Sequence, residues 1–349
     1  MPSRLRRSLA AWVPRWWAGR AGVAGRVADV AFWPAEQLYR GAIAGRNTAY
    51  ERGWLPAERA PIPVVSVGNL GVGGAGKTPF AAWLARRLHE AGARPAVVLR
   101  GYGGDEVLLH TELNPELPVY TAAHRADAVR AAAAEGCTVA VVDDGFQHRA
   151  LARDLDVVLV SAESWTVRRR LLPRGPWRES ASALHRAGCV GVTVKSAGPG
   201  AAERVAAEAE RLAGGVPTLV IELRPAHLAP LHAAAPREPL EWLRGRTVLA
   251  VAALADPRPF ADNLRSRGAV VELVAFPDHH AFSAGDAARL LARAGERPLV
   301  TTHKDAVKLR ALLPPAASVY VLHQDVCVTR GAERLDAALR DLLGRKERG

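Results

Sequence analysis

A doubly wound α/β fold on a mostly parallel sheet, accompanied by a second, smaller α/β domain, is the architecture this sequence predicts, and three observations predict it. Short runs of Val, Leu, Ile and Ala recur at 64–67, 96–99, 139–142, 156–160, 189–194, 217–221, 247–252, 269–274, 298–301 and 318–322, with Ala/Arg/Glu-rich helical stretches between them. Strands that are apolar on both faces belong to a parallel sheet covered by helices on both sides. The second observation is Gly71-Val72-Gly73-Gly74-Ala75-Gly76-Lys77-Thr78, a G-x-x-x-x-G-K-T phosphate-binding loop directly after the first of those runs. The third is the run Val139-Ala140-Val141-Val142, which ends on the carboxylates Asp143 and Asp144.

Taken from the N-terminus, the first sixty residues interleave Arg4, Arg6, Arg7, Arg15, Arg20 and Arg26 with Trp12, Trp16, Trp17 and Trp33. No charge-free run approaches the ~18 residues of a spanning helix. Pro14 and Arg15 also cut short the apolar stretch that a signal peptide would need after Arg6-Arg7, so the segment is expected to stay uncleaved and cytosolic. Arg heads with Trp bodies suit an interfacial segment on anionic lipid. A solvated basic arm, or a helix docked on its own domain, would use the same residues. Single-stranded nucleic acid ranks lower, because no RNA-binding motif accompanies the basic and aromatic residues.

The expected organisation is therefore a basic, Trp-rich, membrane-facing segment at 1–55, a P-loop nucleotide-binding domain of the NTPase type at 56–222, and a second α/β domain with its hinge at 223–349. A Pro-, Ala- and His-rich stretch from Arg224 to Pro239 reads as the linker, and the tail from Gly344 as frayed. A length of 349 residues allows about two domains, and 49% hydrophobic content excludes a disordered chain. The net charge of +12 favours an anionic partner, whether nucleic acid, acidic lipid or a phosphorylated substrate. Cys137, Cys189 and Cys327 are odd in number and far apart, which suggests neither a disulfide framework nor a metal knuckle and fits a reducing cytosol.

The chemistry of the loop follows from its residue types. Glycines let successive backbone N–H groups face one concavity, Lys77 can reach the β- and γ-phosphates of ATP, and the Thr78 hydroxyl is placed to ligate Mg²⁺. Phe80, Trp83, Leu84 and Leu88 recur at helical spacing after the loop, so it opens a helix whose N-terminus attracts anions. Asp143 and Asp144 occupy a Walker-B position, at the carboxyl end of a strand where open α/β sheets bind ligands. One of them can hold Mg²⁺ while the other orients a water or a second ion.

A series of motifs then resembles one family. Gly68 to Pro79, Arg100-Gly101-Tyr102-Gly103, Asp143-Asp144-Gly145-Phe146-Gln147-His148, Leu172 to Glu179, Phe276-Pro277-Asp278-His279-His280 and Thr302 to Lys308 are similar, in order and spacing over about residues 28–325, to the motifs of the tetraacyldisaccharide 4′-kinases, the lipid A 4′-kinases. The resemblance implies ATP- and Mg²⁺-dependent transfer of the γ-phosphate to the 4′-hydroxyl of a tetraacylated glucosamine disaccharide 1-phosphate, the lipid A precursor. It also implies action at the cytoplasmic face of the bacterial inner membrane and two α/β/α domains joined by a short β hinge. Neither a nucleic-acid nor a protein partner is indicated.

Carried over residue by residue, the resemblance makes Gly71 to Thr78 the ATP loop, Lys77 catalytic, and Thr78, Asp143 and Asp144 the metal residues. Asp105 and His279 match the family's proton-accepting pair, in which a carboxylate orients an imidazole to take the proton of the attacking hydroxyl. His279 is preferred to His280 because the family's pattern keeps the first position more strictly. Arg125 and Arg178 fall where the family places arginines and could neutralise charge on the transferring phosphoryl group or hold the substrate's phosphate, Arg178 counting as catalytic, while Arg125, Gln147, His148 and Glu179 would contact substrate or support the site. The chain departs from the pattern in its short stretch between Tyr102 and Asp105, in Val107 where a Pro normally stands, and in Ala253-Leu254-Ala255-Asp256-Pro257 where the family has a turn richer in Gly and Asn.

Two other classes of nucleotide-binding protein fit less well. A partitioning or metal-insertion ATPase carries an extra Lys before its paired glycines, where Val72 stands here. A GTPase needs an Asn/Thr-Lys-x-Asp base-reading motif, and Thr302-His303-Lys304-Asp305 has its Lys out of register. A non-catalytic nucleotide-binding scaffold is distinguished only by turnover on a lipid acceptor.

Overall fold

The computed structural model describes residues 12–101, 104–165, 168–198, 200–232 and 236–346, and Arg4, Arg6, Arg7, Tyr102 and Gly103 lie outside them. The chain divides into two compact units. Unit 1 comprises Met1–Gly103, His110–Glu222 and Val328–Gly349, and unit 2 comprises Gly104–Leu109 and Leu223–Cys327.

Unit 1 is built on β1 (Val64–Asn69), β2 (Pro95–Arg100), β3 (Val119–Ala122), β4 (Val139–Asp143), β5 (Leu155–Ser161), β6 (Cys189–Val194) and the first part of β7 (Thr218–Pro230), in the order β3-β2-β4-β1-β5-β6-β7. All of these neighbours run parallel. Every residue of β1 and β4 is buried, the signature of central strands covered on both faces. Their register sets Val67 opposite Asp143, which brings the chain leaving β1 beside the carboxylates that end β4. The helices α1 (Gly22–Ala31), α2 (Trp33–Glu51), α3 (Lys77–Glu90), α4 (Gly104–Leu113), α5 (Arg125–Ala134) and α6 (Ala201–Leu212) follow in chain order. Among the described residues one apolar cluster of this unit gathers around Phe146, Trp165 and Leu184 and another around Val98, Val129 and Leu151.

Unit 2 carries β8 (Thr247–Ala252), β9 (Val270–Ala275), β10 (Leu299–Thr302) and the first part of β11 (Val319–Arg330), parallel and in the order β11-β10-β8-β9. Among the described residues its helices are the first part of α4, α7 (Arg258–Ser266), α8 (Ala284–Ala294) and α9 (His303–Leu309). Leu249, Val251, Leu290 and Leu309 pack one core of this unit, and Val248, Ala250, Phe260 and Leu264 another.

The structure corrects the expected boundaries in three places. The final helix, α10 (Ala332–Lys346), belongs to unit 1 rather than to a second domain ending at 349, because Leu335, Leu339 and Leu342 are buried there and Arg87 holds Asp336 at 2.6 Å. Gly104–Leu109, and with it Asp105, belongs to unit 2 rather than to the nucleotide domain. The stretch expected as a linker from Arg224 is strand as far as Pro230, with Leu228 fully buried and bonded across to Glu238.

The N-terminal segment is docked on unit 1. Trp16 is buried with its Nε1 donating to Asp29 at 3.0 Å, and Trp17 Nε1 donates to the Pro173 carbonyl at 3.0 Å. From α2, the buried Glu36 accepts the Leu171 N–H at 3.0 Å and faces Arg174 at 2.8 Å. The opposite surface is apolar: Val23, Val27, Val30, Phe32, Trp33 and Leu38 are between 44% and 77% exposed.

Candidate active site

The phosphate loop begins where β1 ends. Gly74 (φ 60°) and Gly76 (φ 75°) take left-handed conformations that a side chain would strain, and this lets the loop fold back before α3 starts at Lys77. No side chain caps α3 and no acidic residue stands in its first turn, so its leading N–H groups face outward as an anion site. The loop is fixed from both sides by hydrogen bonds to its backbone and that of Leu70. Val72 N donates to the Pro176 carbonyl at 2.8 Å and Arg178 N to the Leu70 carbonyl at 2.7 Å, while Thr193 Oγ1 donates to the Ala75 carbonyl at 3.1 Å and Lys195 Nζ to that of Gly74.

Lys77 Nζ lies 3.3 Å from Asn69 Oδ1 and 3.3 Å from Asp144 Oδ1. Asp144 is also held by Arg178 at 2.9 Å, and Arg178 reaches Gln147 Oε1 at 3.3 Å. Gln147 turns its own amide to the Asn69 carbonyl at 2.8 Å. Burial alone would raise the Asp144 pKa, but Lys77 and Arg178 outweigh it and hold the carboxyl below its usual range. Asp144 has a left-handed φ of 53°, and His279, at 57°, is the other non-glycine residue with positive φ among the described residues.

Asp143 is placed differently from its neighbour. It is 4% exposed, its Oδ2 lies 3.1 Å from Nε2 of the fully buried His110, and its Oδ1 is buried with no protein partner. Such an orphaned carboxylate oxygen beside a phosphate loop fits a hard divalent cation. The buried Arg125 donates through Nη2 to the carbonyls of both Asp143 and Asp144 at 3.1 Å, so it braces the carboxylate pair from behind. His148 is half-buried, and burial together with Arg125, Arg153 and Arg100 lowers its pKa to about 4. Glu179 is turned away from the loop: its buried carboxylate accepts from Asn47 of α2 at 2.7 Å and from Arg186 at 2.9 Å.

In unit 2, Asp105 opens α4 and His279 follows β9, with Asp105 Oδ2 at 3.9 Å from His279 Nδ1. The shorter contact of Asp105 is to Lys308 Nζ, at 3.1 Å. Lys304 Nζ lies 2.9 Å from Asp278 Oδ1 and 3.3 Å from His279 Nε2. An ammonium can only donate, so its contact gives Nε2 the lone pair and leaves the proton of the neutral ring on Nδ1, toward Asp105. His280 faces Asp286 at 3.2 Å instead, away from Asp105. Sequence reasoning gave no role to His110, Asn69, Lys195, Lys304 or Lys308. The two lysines of α9 stood inside a quoted motif, whereas His110 sits in an ordinary helical stretch with no spacing signal.

Comparison with known proteins then decides the family. The model of the family LpxK, tetraacyldisaccharide-1-P 4′-kinase, matches residues 28–106 and 103–344. The chain belongs to this family. A tetraacyldisaccharide 4′-kinase of Anaeromyxobacter dehalogenans (strain 2CP-C) is 43% identical, over 93% of this chain and 93% of that one. Another from Halorhodospira halophila is 38% identical, over 89% of this chain and 92% of its own. A crystal structure of the "apo" form of LpxK from Aquifex aeolicus in complex with ATP superposes with a TM-score of 0.72 at 28% identity, covering 90% of this chain and 99% of that one. The tetraacyldisaccharide 4′-kinase fold is thus the fold described above, a P-loop α/β architecture with parallel strands.

Proposed function

We propose that this chain, like the family it belongs to, is an ATP-dependent lipid kinase that phosphorylates the 4′-hydroxyl of a tetraacylated glucosamine disaccharide 1-phosphate in lipid A biosynthesis. The observation that carries the nucleotide half is the uncapped N-terminus of α3 beside Lys77 and the unpartnered Oδ1 of Asp143. Gly71 to Thr78 cradle the phosphates, and Lys77 leaves Asp144 for the β- and γ-oxygens when ATP arrives. Thr78 and Asp143 would hold Mg²⁺, with Asp144 next to them. Held there, Mg²⁺ would supply positive charge to offset that of the phosphates during transfer. Arg178, freed from Asp144 in the same exchange, would face the transferring phosphoryl group.

The 4′-oxygen bonds to the γ-phosphorus, the bond from that phosphorus to the bridging oxygen breaks, and ADP leaves with the bond's electrons. The hydroxyl proton goes to His279 Nε2, from which the incoming hydroxyl displaces Lys304, and Asp105 steadies the resulting imidazolium through Nδ1. Radiolabelled γ-phosphate should move from ATP to the disaccharide acceptor, and ATP turnover with no labelled lipid would refute the reading.

The enzyme would work at the cytoplasmic face of the bacterial inner membrane as an interfacial protein. Among the described residues no helix is long and apolar enough to cross a membrane. Val23, Val27 and Val30 lie at i, i+4 and i+7 on one face of α1, exposed, and Phe32, Trp33 and Leu38 add to the surface, which supports insertion among headgroups. Trp16 and Trp17 do not share that role, since both are bonded within unit 1.

A further inference from the structure

The shortest charge contact of Asp105 is made by a residue that the catalytic reading above does not use. Asp105 Oδ2 is 3.1 Å from Lys308 Nζ and 3.9 Å from His279 Nδ1, so the lysine determines where the carboxylate sits more than the imidazole does. Lys308 is itself placed rigidly, with its side chain 14% exposed. Its helix, α9, is tied to the unit 2 core by Asp305, which is fully buried, accepts the Ala253 N–H at 2.9 Å and receives Thr302 Oγ1 at 2.7 Å. The same Lys308 ammonium also reaches the His280 carbonyl at 3.4 Å, one residue beyond His279. Lysine carries three donors and no acceptor, so one Nζ can bind the carboxylate and the backbone of the histidine loop together. One turn earlier, Lys304 holds the far edge of the imidazole and Asp278.

We propose that Lys308 is a positioning residue for phosphoryl transfer, clamping the ionised Asp105 carboxylate and the backbone of the His279-His280 loop so that carboxylate and imidazole stay in register. The proposal rests on the reading of Asp105 and His279 as the proton-accepting pair. Among the described residues of unit 2, Asp105 forms ion pairs with Lys308 from α9 and His279 from the loop after β9, with Glu106 next to it in α4 and Lys304 and Asp278 beyond the imidazole. Burial would raise the Asp105 pKa, but Lys308, then a backbone hydrogen bond and His279, together outweigh it and hold the carboxyl below its usual range. Removing the ammonium therefore protonates Asp105 at a higher pH, and the acid limb of kcat should move upward.

The test uses the full chain with ATP, Mg²⁺ and the lipid acceptor, and follows transfer and background ATP hydrolysis from about pH 3 to 9, a range that spans the lowered Asp105 carboxyl. Lys308→Met should lower kcat for transfer roughly tenfold to a hundredfold, less than the 10²–10⁴ of a lost general base. Its acid limb should rise by about one pH unit, the size expected of losing a cation next to a carboxylate. Hydrolysis should stay within about twofold, because it needs no acceptor for a sugar hydroxyl proton. Lys308→Arg should recover most of the rate and the original limb. Should Lys308→Met melt early, Lys308→Gln keeps a donor without the charge and should show the same shifted limb at near wild-type stability. An unshifted limb in Lys308→Gln, or an arginine variant no better than methionine, overturns the proposal. Asp105→Asn serves as the control: if it transfers phosphate normally, the pair itself is misread and the proposal falls with it. If it is inactive while Lys308→Gln keeps the wild-type profile, only the lysine's role is wrong.

Discussion

Lys77 and Asp143 carry the sharpest expectations among single residues. Lys77→Ala removes the loop's point charge on the β- and γ-phosphates and should cost transfer on the order of 10³-fold or more, measured at saturating ATP, since phosphoryl transfer depends chiefly on positioning and electrostatics. Asp143→Asn should raise the Mg²⁺ concentration for half-maximal rate, because a neutral amide is a poorer ligand for a hard cation. A Mg²⁺ titration displaced by Asp144→Asn and not by Asp143→Asn would move the metal to the neighbouring carboxylate. Asp144 is held at 3.3 Å by Lys77 and 2.9 Å by Arg178, so its substitution should act first on ATP affinity. The loop and the carboxylate pair were legible in the sequence because each is a contiguous pattern with fixed local geometry. His110 against Asp143, Arg125 on the carbonyls of Asp143 and Asp144, and Lys308 on Asp105 were not. These pairings join positions 18 to 203 apart in sequence, and only the fold brings them together.

At the scale of elements, continuous apolar runs identified ten strands, and one escaped. β3 is four residues long, half-exposed and at the edge of its sheet, so Val119-Tyr120-Thr121-Ala122 lacks the apolar density of a central strand. β7 and β11 run past their apolar halves, and prolines at 225 and 230 disguised the first of these as a linker. Where these two strands continue in unit 2, His227 and His323 stack with ring centroids 4.6 Å apart, and His303 at the start of α9 lies 4.6 Å from His323. Burial, with His303, His227, Arg237 and Arg310 nearby, lowers the His323 pKa from 6.5 to about 3. Between those values the unfolded chain binds a proton that the folded one refuses, so this contribution is complete above pH 6.5 and is lost as pH falls toward 3. Melting temperature between pH 7.5 and 4.5 should therefore fall less steeply in His323→Gln than in the wild type, and equal slopes would contradict it. The exposed face of α1 makes a separate prediction. Val27→Asp with Val30→Asp should weaken co-sedimentation with anionic vesicles severalfold and leave turnover on a detergent-dispersed acceptor nearly unchanged, because both side chains are exposed. Undiminished vesicle binding would mean that the face is merely solvated.

Over the whole molecule, a charge of +12 and an apolar helical face describe a protein suited to an anionic, amphiphilic substrate, and raising salt should weaken its vesicle binding. Two compact units were legible from length and from the repeating strand pattern. Their membership was not, because the chain enters unit 2 briefly at Gly104–Leu109 and returns to unit 1 for its last helix. That excursion places Asp105 with His279 in one unit, 3.9 Å apart, although 174 positions separate them. Transfer of labelled phosphate to the lipid acceptor, measured beside background ATP hydrolysis in Asp105→Ala, His279→Ala and the double variant, tests the kinase mechanism most directly. Each single change should lower transfer roughly 10²- to 10⁴-fold with hydrolysis largely preserved, and the double variant should be little worse than either, as for groups that act together. Losses that multiply in the double variant, or hydrolysis that falls in step with transfer, would contradict it.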